Sequence, residues 1–466
     1  MFGAPAKEAG ALEAGKPGGA KVEPAAEKKP ELDENGRPTE DAMFGDAGAA
    51  RPASSAVQNK EIAPEDPLKI GGQIYLRAIA VTSEEQPVEK WAFSVPMLVD
   101  GYFDARPTDR VRGFVLARLA YDPTIPESAS SSPSNSPFAT GKQIQVMLDQ
   151  LWLRFDIAHT VFVTAGRQHV KWGSAHFWNP TDFLHQVRRN PLDPFDARTG
   201  TTMIKLQVPW EKLGWNLYGV GLFEDTVPDG TLGRVGGALR SEVVLGPAEL
   251  GAEALFQSGH KPRLGADLSA GLGPIDVYAE ASLRKGWETP LFRAVPNADP
   301  ALGLEGAWEP YQPDWAGQAT FGLNWSLNYQ DVDVLTFGAE YFYNSVGYAD
   351  KAVYPLLVAK NAYAPFYTGQ HYLGVYGMFM GPASLHNLNL VLSNLANLSD
   401  RTGIARVDAS VIVLTYLRIE AFVAFHYGHK GGEFRFTMDS PATETAPAFT
   451  VPTPLVEIGL GLRLNI

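Results

Sequence analysis

No cysteine occurs among the 466 residues of this chain, which removes disulfides, thiolate metal ligands and cysteine nucleophiles from consideration. There is also no run of about 18 apolar residues, so no transmembrane helix can be drawn, although 45% of the chain is apolar. Positive charge is short: 39 Lys and Arg against 52 Asp and Glu leave a formal charge of −13, which argues against a general nucleic-acid binder. Residues 1–67 almost lack aromatic and β-branched side chains and are rich in Ala, Glu, Lys, Pro and Gly. Such a segment buries too little apolar surface to offset its ordering entropy, so it is expected to be disordered. Met1-Phe-Gly recurs there as Met43-Phe-Gly, a recurrence that suits either chance or a short docking motif. No apolar segment typical of a signal peptide follows Met1, so an exported protein with this sequence reads as a mature or trimmed form, or as a chain with a mis-called start.

What the chain does have is alternation. In 456–466, Val456, Ile458, Leu460, Leu462, Leu464 and Ile466 share one parity, while Glu457, Gly459, Gly461, Arg463 and Asn465 share the other. Successive strand side chains point to opposite faces, so one face is apolar and the other polar or small. A strand of this length suits a membrane-spanning β-barrel, which needs about 9–11 tilted residues per crossing. Eighteen such segments are predicted near 69–82, 94–106, 111–122, 143–157, 161–172, 201–209, 213–224, 234–245, 248–258, 262–271, 274–286, 317–329, 332–344, 370–380, 384–396, 403–414, 416–428 and 455–466. Every second connection is short, and the others include all the long loops: 123–142, 173–200, 287–316, 345–369 and 429–454. Short turns at one rim and long loops at the other is the layout of an outer-membrane barrel. The fold class expected is therefore all-β, a closed antiparallel transmembrane barrel over 68–466, with 1–67 as a periplasmic tail. Segments 213–224 and 370–380 have ambiguous parity, which leaves 16 strands open as an alternative to 18.

Inward parities are polar: Gln318, Thr320, Asn324 and Ser326 in one segment, and Asp276, Glu280, Ser282 and Arg284 in another. A charged interior in a barrel of 16–18 strands predicts an aqueous channel and not a packed core. The most distinctive stretch is 165–198. Arg167, His169 and Lys171 share one parity, opposite to Phe162, Val170 and Trp172, and are expected to form a basic inner wall. Arg154 and Asp156 on the preceding strand belong to the same expected lining. The loop that follows carries Arg188, Arg189, Asp193, Asp196 and Arg198, and charged rings at a narrowing set solute selectivity. The plainer alternatives are that the trio pairs with Asp156 along the wall, and that 174–200 is a surface loop shaped by Pro180, Pro191 and Pro194.

Gly166-Arg167-Gln168, Trp172-Gly173 and Asn179-Pro180-Thr181-Asp182 resemble a signature of bacterial outer-membrane porin-type proteins at a strand end and the loop after it. The match covers some thirty residues. That resemblance implies a passive or substrate-preferring channel whose loop folds into the lumen, set in outer-membrane lipid and open to homo-oligomerisation. Ile466 departs from it, since many such barrels end in Phe, and so does the long tail. Small hydrophilic solutes are then the expected partners. A different reading makes the barrel an anchor in an envelope-spanning complex, with the tail gripping a periplasmic protein. His169, His176 and His185 lack regular ligand spacing, and no Ser/His/Asp spacing stands out, so neither a metal, a cofactor nor an enzyme is expected.

Overall fold

The computed structural model describes residues 67–466 except 85, 128–141, 186, 194, 197, 224–233, 297–305, 329–333, 383–384 and 441–448. The expected tail thus lies outside the described residues, apart from its last position. Eighteen antiparallel strands close into one barrel. They are β1 (Leu68–Ser83), β2 (Met97–Thr108), β3 (Val111–Tyr121), β4 (Ile144–Ile157), β5 (Val161–Gln168), β6 (Thr201–Trp210), β7 (Trp215–Phe223), β8 (Val235–Leu245), β9 (Ala248–Gln257), β10 (Arg263–Leu272), β11 (Ile275–Lys285), β12 (Trp315–Asn328), β13 (Val334–Asn344), β14 (His371–Met380), β15 (Leu388–Asn397), β16 (Thr402–Leu414), β17 (Leu417–Gly428) and β18 (Pro454–Asn465). Each pairs with its neighbours in sequence, and β18 returns to β1 with Gln73 opposite Asn465 and Val81 opposite Glu457. Closure matters because an unpaired strand edge in hydrocarbon leaves backbone groups without partners.

The strands follow the alternation closely, with one informative departure. The segment expected to run to 172 leaves the sheet after Gln168, two residues past Gly166, whose φ of +125° is a glycine conformation. The outward parity is largely exposed, as in Phe321, Leu323 and Trp325 on β12 and Ile458, Leu460 and Leu462 on β18. Trp210, Trp215 and Trp325 stand near the short-turn rim, and Trp315, Tyr341, Tyr343 and Tyr427 near the other. These positions form the two aromatic girdles of a barrel in a bilayer.

The interior departs from a uniformly polar lining. Met203, Val220, Leu222, Ala238 and Leu255 face inward from β6 to β9, where they pack against Trp172, Phe183 and Leu184. Tyr372 and Tyr376 on β14 do the same against Phe177 and Trp178. This explains why 213–224 and 370–380 had ambiguous parity: both faces of β7 and β14 are apolar because part of the lumen is filled by packed side chains.

Elsewhere inward rings lie flat on glycines directly opposite: Tyr278 on Gly322, Tyr376 on Gly338 and Phe422 on Gly459. A Cβ at Gly459 would fall 1.9 Å from the Phe422 ring. The same ring carries the guanidinium groups of Arg406 and Arg77, at 4.0 and 4.9 Å. Gly459→Val should therefore displace the ring and both arginines, at a cost of ~1–3 kcal/mol typical of overpacking. The check is the temperature at which the fast-migrating folded band is lost on a gel. Gly219→Ala is the control, since its Cβ would meet only Leu239 at 4.0 Å; an equal drop in both variants would rule the ring contact out as the cause.

At the long-loop rim, Glu433 from loop 429–453 is buried between wall strands. It accepts hydrogen bonds from the Tyr372 hydroxyl at 2.6 Å and Asn397 Nδ2 at 2.7 Å, beside Asp400, which accepts from Tyr354 and from the Glu433 N–H. Burial pushes the Glu433 carboxyl up; the Tyr372 hydroxyl opposes this and Asp400 adds to it, leaving it at about 7 against the usual 4.5. A carboxyl raised in the folded state favours folding below the unfolded value and loses that advantage as pH rises through the folded one. Hydrogen exchange of the 432–435 amides, corrected for intrinsic rate, should therefore show local protection falling by about 2–3 kcal/mol between pH 4.5 and 7. Glu433→Gln should flatten that slope.

Candidate functional site

Loop 169–200 leaves the top of β5 and crosses the lumen before returning to β6. Two inward carboxyls on the facing wall hold it. Glu340 on β13 accepts the Trp178 N–H at 2.7 Å, the His176 N–H at 2.8 Å and the Phe177 N–H at 3.1 and 3.2 Å, while the Tyr278 hydroxyl donates at 2.9 Å. Glu280 on β11 accepts the Ala175 N–H at 2.6 Å, the Thr181 hydroxyl at 2.7 Å and the Thr181 N–H at 3.3 Å. Hydrogen bonds contribute roughly 0.5–1.5 kcal/mol each, and leaving such buried groups without partners costs more; both carboxyls are almost fully buried.

The residues of the Trp-Gly…Asn-Pro-x-Asp stretch each have a part in that turn. Asn179 Nδ2 donates to the Trp172 carbonyl at 2.7 Å, tying the two ends together. Gly173 has φ +87°, and a Cβ there would lie 2.4 Å from Glu280 Oε1 and from Thr181 Oγ1, so only glycine lets the backbone close over the carboxyl. Asp182 accepts from Arg198 at 3.0 Å and contacts His185 Nδ1 at 2.9 Å. Burial raises the Asp182 carboxyl, but His185 and Arg198 outweigh it and hold it at about 2. Arg198 also binds Asp196 at 2.6 Å, so the far end of the loop is clamped to its own start.

The other contacts reach around the wall. The Thr320 hydroxyl donates to the Trp178 carbonyl, Asn324 meets His176, and Arg406 on β16 donates to the Leu192 carbonyl. Phe195 packs edge-on against Tyr75 of β1 at 5.8 Å, with Arg463 of β18 over its ring at 4.8 Å. Cavities lie on either side of the loop. One, of about 290 Å³, is lined by Lys171, Arg188, Arg189, Arg198, Arg263 and Arg284, with Asp182 and Glu288 as its acidic members. The second, of about 140 Å³, has Arg77, Arg406, Arg418 and Arg463 against Asp193, Asp408 and Glu420.

The expected basic trio does not stand together. Arg167 lies opposite Leu151 and Thr202, both of the outward parity, and its guanidinium follows the rim to the Gly200 and Leu148 carbonyls. The even residues Phe162, Thr164, Gly166 and Gln168 face in, so the trio's side was inverted while the strand lasted. His169 and Lys171 come past its end and turn inward, His169 to Asp149 at 2.8 Å and Lys171 to the larger cavity. Arg154 does face in, with its guanidinium 5.5 Å from the Phe162 ring. Asp156 sits at the short-turn rim with Arg110 at 2.8 Å, too far down the wall to pair with the trio. Arg188 lies between Trp287 and Tyr367, 5.3 and 4.6 Å from their ring centroids, and the Arg189 carbonyl accepts from the Tyr367 hydroxyl. Asp193 accepts from Asn190 at 3.1 Å. Glu340, Arg263, Arg406 and Arg463 were not singled out from the sequence; Arg463 and Glu280 carried a signal in their inward parity.

The sequence matches no family model and no curated protein. Among solved structures, OccAB1 of Acinetobacter baumannii is similar over 86% of this chain and 96% of its own, with a TM-score of 0.52 at 11% identity. OccAB3 of the same organism gives a TM-score of 0.50 at 9% identity, over 86% of this chain and 99% of its own. At these identities the likeness is one of fold, and the closed barrel described above is an architecture this chain shares with both.

Proposed function

We propose that this protein is an outer-membrane channel through which small hydrophilic solutes diffuse, with the 173–200 loop as its constriction and a preference for anions. It is a passive path and not an enzyme. The observation that carries the reading is the loop held across the lumen by Glu280 and Glu340 with arginine-rich cavities on both of its sides. Fixed charges in a narrow lumen act through less water than charges on the outer surface, so the local set outweighs the net charge of −13. The expected wall of Arg167, His169 and Lys171 is accordingly replaced, in this proposal, by Lys171 with Arg188, Arg189, Arg198, Arg263 and Arg284.

Two measurements on channels in planar bilayers test it. Arg263→Glu combined with Arg284→Glu should move the reversal potential in a salt gradient towards cations, by a several-fold change in permeability ratio. Arg167→Glu, on the outward parity, should leave it in place. An unmoved potential in the double variant puts selectivity elsewhere. Glu340→Ala removes the acceptor of three loop N–H groups, so the loop should loosen; single-channel current should rise at least two-fold and become noisier. A quiet, unchanged current would mean that the loop does not limit flow.

A further inference from the structure

His169 and His185 face each other between the wall and the inserted loop in an arrangement that the channel reading does not use. His169 Nε2 lies 2.8 Å from Asp149, and His185 Nδ1 lies 2.9 Å from Asp182. The two remaining ring nitrogens, His169 Nδ1 and His185 Nε2, are 3.4 Å apart. A carboxylate only accepts, so each imidazole puts its N–H towards its aspartate. With both rings neutral, that leaves two lone pairs turned towards one another, an arrangement that is repulsive unless a positive charge, a proton or a metal ion, stands between them.

The spacing favours an ion over a shared proton. At 3.4 Å the pair is longer than the roughly 2.7–3.2 Å usual for an N–H···O hydrogen bond. Two nitrogens each ~2.0–2.1 Å from one tetrahedral ion lie about 3.3–3.4 Å apart. The ring centroids are 5.6 Å apart and the planes 30° from parallel, so both rings present their edges to the gap. Carboxylates behind both imidazoles are the outer-shell arrangement that fixes the tautomer and raises the basicity of metal-bound histidine. His185 borders the larger cavity, which provides an entry path.

We infer that one divalent, imidazole-seeking and tetrahedral transition-metal ion such as Zn²⁺, for which Cu²⁺ serves as a spectroscopic probe, binds between His169 and His185 and staples the loop to the end of β5. Among the described residues no set of three or more His, Asp, Glu or Cys side chains closes on a single point. The site is therefore a two-nitrogen one, with water or a passing anion in the remaining positions. Lys171 and Arg189 line the same cavity and weaken the affinity for a cation. This inference stands whether or not the barrel conducts.

The test is calorimetric titration of the untagged, full-length folded chain in detergent with Cu²⁺ and Zn²⁺ at pH 7.5, paired with electron paramagnetic resonance of the copper form. One ion per chain is expected, with a copper spectrum showing two nitrogen donors. His169→Ala and His185→Ala should each weaken binding at least ten-fold, while His159→Ala, in the short turn after β4, should not. Heat-modifiable gel migration shows whether each variant is folded, and the wild-type spectrum needs no variant at all. Absence of saturable binding below millimolar metal would mean that a proton fills the gap, and would overturn the proposal. A spectrum without a nitrogen pair, or affinity unchanged in both folded variants, would overturn it as well.

Discussion

The burial of two carboxyls, Glu280 and Glu340, opposite a run of loop amides is the interaction on which the interior depends. A wide barrel has no core of its own, because its lumen-facing side chains are too far apart to touch across the axis. Here the loop supplies what is missing. Its amides satisfy the carboxyls, and the carboxyls in turn satisfy a backbone that has left the sheet and has no ladder partners. Once that exchange is made, Phe177 and Trp178 land against Tyr372 and Tyr376, and Phe183 and Leu184 against Val220 and Leu222. The apolar inner faces of β7 and β14 follow from the loop and have no purpose without it.

The loop also partitions the charges. Arginines are distributed on both of its sides, and many of them are tied to acidic partners or to an aromatic face: Arg118 to Asp100 and Asp149, Arg406 to Asp408, Arg188 to Trp287 and Tyr367. Arginine tolerates this use better than lysine, since its planar group stacks and bonds at once. The overall acidity of the chain says little about this interior. In the proposed channel the local set of fixed charges would govern a solute, and around the two cavities that set is basic.

The strands were almost fully legible in the sequence, because period two survives wherever one face meets lipid. Closure of 455–466 against 69–82 was legible for the same reason, together with the sorting of short and long connections. The failures share a physical cause. Alternation separates two faces without saying which is inside when both are apolar or both mixed, and this inverted Arg167. Nor does parity give height along the wall: Asp156 and His169 are separated by a turn and the whole of β5, roughly 25 Å at the rise of a strand. Glu280 was placed on the inner face, but its role as an anchor depends on a loop that begins more than a hundred residues earlier, which no local pattern contains. His169 and His185 show no regular ligand spacing in the sequence; the fold, and not spacing, brings them together.

Phe195 touches both members of the pair that closes the barrel, Tyr75 of β1 and Arg463 of β18. Its seat is built from Tyr75, Leu98 and Ala120 of the first three strands and completed by Arg463 of the last. One phenylalanine of the loop thus straddles the seam, so that the plug of the barrel also fastens its first strand to its last.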